Sequence, residues 1–170
     1  MNKIIIHWTA GTYKPNHIDS QHYHYLIDDK GVIHYGKYRP EDNENCCDGR
    51  YAAHTGGGNT GAIGVALCSM HNFISTTNVG DYPITAKQLE SCFELCAKLS
   101  MVYNIPVENI MTHYEFGKNH PDTSSHGKID IIYLPPYPLV KRNEVGGFIR
   151  NKIRWYLNKL KGENYGRQQS

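Results

Sequence analysis

A long hydrophobic run is missing from this 170-residue chain. The apolar stretch in MNKIIIHWTAG is far shorter than the about 20 residues of a membrane span and too short for a signal-peptide core. Neither a membrane segment nor an export signal is therefore expected. A chain made in the cytoplasm would reach an outside substrate by lysis, through a dedicated secretion machine or after loss of a signal. A paired cysteine framework is missing too. Cys46, Cys47, Cys68, Cys92 and Cys96 are odd in number, include an adjacent pair and lack zinc-ribbon spacing. Reduced thiols are expected, with Cys68, Cys92 and Cys96 as small core residues. Charge of one sign is not in excess: 18 Lys and Arg against 16 Asp and Glu leave a net +2. No basic stripe with interleaved aromatics is present, which argues against a nucleic-acid partner. There is no internal repeat, low-complexity tract or linker, so one domain with one core is expected.

What is present reads as alternating strands and helices. Residues 3–8 form a buried strand ending at His7, and Thr9, Ala10 and Gly11 break it. Residues 23–27 and 31–35 predict a hairpin across Asp28, Asp29 and Lys30. Residues 36–61 are a polar, glycine-rich connection, residues 62–68 an apolar strand and residues 69–82 an irregular flap. Thr85 and Gln88 make a capping box before Leu89, Cys92, Phe93, Cys96 and Leu99 at helical spacing. Residues 107–112 predict a strand delivering His113, and residues 114–138 read as loop. Ile149, Ile153, Tyr156, Leu157 and Leu160 place a helix over residues 148–160, with a frayed tail from Lys161. The fold class is α/β: a single domain with a central mixed sheet flanked by helices. Its main body covers residues 1–140, and a C-terminal helix in 141–170 packs on it.

Ten histidines are many for this length, and His7 and His113 both follow apolar strands, where sites are built. The segments His7-Trp8-Thr9-Ala10-Gly11, Thr112-His113-Tyr114-Glu115 and Lys128-Ile129-Asp130 resemble the three metal-bearing segments of the N-acetylmuramoyl-L-alanine amidases. The order of parts between them is also similar: a Tyr-His-Tyr-Leu-Ile strand, a His-Thr-Gly loop, an Ile-Gly-Val strand and a long helix, over roughly residues 3–137.

The resemblance implies one Zn2+ per chain held by His7, His113 and Asp130 in a surface cleft at the strand ends. Three ligands leave a position open for water, whose pKa zinc lowers to about 7. It implies Tyr23 and Lys128 as catalytic residues: Tyr23 orienting the water or moving its proton, Lys128 supplying positive charge to the developing oxyanion. His54, Thr55 and Asn59 are expected on a substrate-binding wall whose glycines let a backbone approach the ligand. The partner expected is peptidoglycan or muropeptides, without nucleic acid or membrane, and the protein a monomer acting on the cell wall.

The chain departs from the family after Asp130, where Ile131-Ile132-Tyr133 stands in place of Pro-Gly, so Asp122 is the second candidate ligand. Two other classes compete. One is a binding module that grips peptidoglycan without cutting it, although such modules typically lose a ligand. The other is a phosphoesterase of RNA ends with paired His-x-Thr or His-x-Ser motifs. His7-Trp8-Thr9 supplies one such motif, but His113 is followed by Tyr114-Glu115. Within the amidase reading, a phage or prophage lysin leads over a wall-degrading effector and a recycling enzyme.

Overall fold

A computed structural model describes the backbone of residues 1–168 and the side chains of residues 1–162. Its centre is β1 (Lys3–Trp8), the apolar run of the N-terminus. With β2 (Tyr25–Ile27), β3 (Ile33–Tyr35), β4 (Ala62–Leu67) and β5 (Ile110–Thr112) it forms one five-stranded sheet in the order β3-β2-β4-β1-β5. All neighbours pair in parallel except β2 and β3, the expected hairpin. The sheet is therefore mixed, and its parallel centre is covered on both faces, which is why β1 and β4 are apolar almost throughout.

Successive side chains of a strand point to opposite faces. Ile4, Ile6 and Trp8 enter the large core with Phe93 and Leu89 of α2 (Ala86–Val102) and Ile149 and Ile153 of α4 (Val145–Gln168). Ile5 faces the other way, against Ala62 and Phe116 of α3 (His113–Asn119), and His7 shares that side.

The capping box of α2 is formed: Thr85 Oγ1 accepts from Gln88 N at 3.1 Å and Gln88 Oε1 accepts from Thr85 N at 3.0 Å. The Gln88 amide also donates to the carbonyls of Ile27 and Cys68, tying the helix to the ends of β2 and β4.

Four elements differ from the sequence reading. Tyr23 does not begin a strand; it caps α1 (His17–His22), which opens on an Asn16/Asp19 capping box. Residues 107–112 divide into a 3-10 turn, Val107–Asn109, and the short β5. The segment after His113 starts as helix rather than loop, because Thr112 and Glu115 form another capping box. Finally, α4 begins before Phe148 and continues past Lys161. Among the described residues no helix is long and apolar enough to cross a membrane.

Candidate metal centre

His7 is the penultimate residue of β1, and His113 is the first of α3, directly after β5. Because β1 and β5 are parallel neighbours, both imidazoles emerge at the same edge of the sheet, the carboxyl end where open α/β folds place their sites. Their rings lie 4.5 Å apart. Asp130 reaches the pair from the loop after α3. Its Oδ2 lies 3.2 Å from His7 Nδ1 and 3.1 Å from His113 Nδ1. Among the described residues these three form the group whose donor atoms all lie within 4.8 Å of one another. Asp122, the second candidate, is exposed and lies outside that group.

The donor set fits a zinc ion. Imidazole nitrogen and carboxylate oxygen are its usual ligands, and bonds of 2.0–2.1 Å in a tetrahedron put neighbouring donors about 3.3 Å apart, close to the two separations seen here. The backbone also favours this placement of the carboxylate: Ile131 takes a left-handed conformation, φ 62°, and buries its side chain in the core behind Asp130. That conformation is uncommon for a β-branched residue and replaces the Pro-Gly shape expected of relatives.

Electrostatics follow burial. Desolvation, with His113 adding to it, lowers the pKa of His7 to about 4, against the pull of Asp130. Burial would raise Asp130, but His113 and His7 outweigh it and hold the carboxyl well below its ordinary range. Burial and then the Asp130 charge raise Tyr23, whose ring lies 5.1 Å from that of His7. The Lys128 charge also acts on His7. Lys128 is exposed on the rim of a 340 Å³ cleft that Trp8, Ala10, Phe73 and Asp130 help to line. Phe73 and Ile129 lead from it into a second groove of 510 Å³ ending at Tyr133, Lys141 and Arg142.

His54, Thr55 and Asn59 are placed beneath the histidines. His54 is 7% exposed and Thr55 0%. His54 Nδ1 lies 3.2 Å from His7 Nε2 and 2.7 Å from Thr55 Oγ1, and Asn59 Oδ1 accepts from Thr55 N at 2.7 Å. The glycines between them meet protein: a Cβ on Gly56, Gly57 or Gly58 would run into Ser124, Thr123 or Phe116.

Two residues outside the expected site join it. His24 is buried; its Nδ1 accepts from Gly64 N and its Nε2–H donates to Asn43 Oδ1. Ser125 is fully buried, 3.0 Å from His113 Nε2, and no pattern in the chain marks it.

The model of the N-acetylmuramoyl-L-alanine amidase family matches residues 1–128, ending just before Asp130. No curated protein matches the chain. Among solved structures, a point mutant of PlyL is 21% identical with a TM-score of 0.51, covering 90% of this chain and 84% of that one. The PlyG catalytic domain is 21% identical with a TM-score of 0.50, over 92% and 84%. The amidase LysC from Clostridium intestinale URNW is 22% identical with a TM-score of 0.47, over 67% and 70%. At such identities the PlyL and PlyG structures speak for the fold alone. The family match covers most of the chain and includes both histidines, and the chain belongs to the N-acetylmuramoyl-L-alanine amidases.

Proposed function

We propose that the protein hydrolyses the amide bond between N-acetylmuramic acid and L-alanine in peptidoglycan, using one zinc ion held by His7, His113 and Asp130. The observation that carries this reading is the convergence of both imidazole Nδ1 atoms on one carboxylate oxygen at the mouth of a cleft. When bound, zinc supplies a Lewis acid that polarises an amide carbonyl and lowers the pKa of water to about 7.

The chain's own residues do the rest. Tyr23, its hydroxyl proton held tightly by burial, orients water by hydrogen bonding at its phenolic oxygen. Lys128, exposed at the rim, brings its ammonium to the amide oxygen as negative charge grows there. The apolar cleft walls Trp8 and Phe73 exclude water beside the scissile bond, and the groove toward Lys141 and Arg142 offers positive charge to stem-peptide carboxylates. The setting we favour is a monomeric phage or prophage lysin that meets the cell wall after lysis.

Elemental analysis of the purified protein, with mass spectrometry of peptidoglycan digests, tests metal and bond together. About one zinc per chain and stem peptides beginning with L-alanine, both lost in His113→Ala, are expected. Zinc without release would leave a binding module, and neither would remove the proposed centre.

A further inference from the structure

Each candidate ligand histidine has a second ring nitrogen, and both of these point back to one segment, residues 54–56. His7 Nε2 lies 3.2 Å from His54 Nδ1 and 3.4 Å from Thr55 Oγ1. His113 Nε2 lies 3.0 Å from Ser125 Oγ, which in turn lies 2.8 Å from the Gly56 carbonyl oxygen.

The second chain of contacts has one consistent proton assignment. A carbonyl only accepts, so the single Ser125 hydroxyl proton belongs to Gly56 O. Were it turned toward His113, two oxygens would face each other at 2.8 Å with no proton between them in a fully buried place. Ser125 Oγ therefore accepts from His113 Nε2–H. His113 so held at Nε2 turns its Nδ1 toward Asp130 Oδ2, the side on which a metal ion would sit.

The glycines keep the serine there. The run Gly56, Gly57 and Gly58 lies against Ser124, Thr123 and Phe116 where no Cβ fits, which brings the Gly56 carbonyl up to Ser125.

We propose that Ser125 is a positioning residue for His113, clamped by Gly56, and that residues 54–58 support both histidines from behind, so that each presents Nδ1 to the metal. The purpose of the arrangement rests on the zinc reading, but its signature, the His113 Nε2 proton held by Ser125, exists without metal. Outer partners of this kind fix ring orientation and tautomer, and their removal typically costs about 10- to 100-fold in metal affinity.

The test uses 15N-labelled, metal-free protein. Long-range 1H–15N spectra of the wild type should show a proton on His113 Nε2, whatever Nδ1 carries beside Asp130. Ser125→Ala, checked for folding by its thermal melt, should open that proton to exchange with water and weaken zinc binding by about 10- to 100-fold in competition with a chelating dye. Ser125→Thr, which keeps a hydroxyl, should restore both. A wild-type His113 with no proton on Nε2, or a folded Ser125→Ala with unchanged zinc affinity, overturns the proposal. If the wild type holds the Nε2 proton and binds no zinc, the zinc reading falls and the positioning role stands. If Ser125→Ala does not fold, the wild-type Nε2 proton decides alone.

Discussion

On one side of β1, Ile4, Ile6 and Trp8 enter an apolar core roofed by α2 and α4. On the other, Ile5 gives way to His7, and His24, His54 and His113 join it to make a row of buried imidazoles. The first face is stabilised by area removed from water, which tolerates approximate shapes. The second keeps polar rings out of water and so depends on partners for each nitrogen: Asn43 and Gly64 for His24, Ser125 for His113, His54 for His7. His54 Nε2 is the one buried side-chain nitrogen or oxygen without a partner among the described residues, and it lies on this face. One side of the strand specifies the fold; the other gathers the group that could hold a metal ion.

Substitutions on the two faces should separate accordingly. The largest effect is expected from His113→Ala or Asp130→Ala, with amidase activity on purified peptidoglycan falling roughly a thousand-fold or more as the Lewis acid is lost. The fold should persist in circular dichroism. On the core face, Phe93→Ala should cost about 3–5 kcal/mol in denaturant unfolding while leaving kcat at low temperature nearly unchanged. Equal damage to activity and stability from either substitution would break the comparison.

Acid should strike the histidine face selectively. Burial lowers His7 and His24 to about 4 from an ordinary 6.5. Their contribution is complete above about pH 6.5 and is lost as the pH falls through about 4, because the unfolded chain binds the protons first. Metal-free protein should lose a few kcal/mol over that window, measured by urea titration at successive pH values. A flat profile would mean that the row is not buried in solution. The smallest effect is expected from Thr85→Ala, about 1 kcal/mol through loss of the α2 cap, with zinc affinity untouched.

The core face was legible in the chain because burial leaves periodic traces: alternation along β1, 3.6-residue spacing and a capping box in α2. The site was legible only in part. His7 and His113 stood out by their place after strands and, with Asp130, by likeness to a family. α1 and α3 span six and seven residues, too short for periodicity, and went unread; their capping boxes, Asn16 with Asp19 and Thr112 with Glu115, were the one signal that could have found them. Ser125 left no trace at all, since its role lies in a contact with Gly56, 69 residues away. The glycine run read naturally as room for a ligand, whereas its space is taken by residues 123–124 and Phe116.

His7 and Asp130 meet across 123 residues of chain, and β1 takes its place between β4 and the late-made β5. Closing so long a loop is entropically slow, and nothing in the first hundred residues can complete the donor set. The group His7, His113 and Asp130 therefore gathers only once β5 and the loop beyond α3 have joined β1, so the pocket and the sheet's edge are completed together.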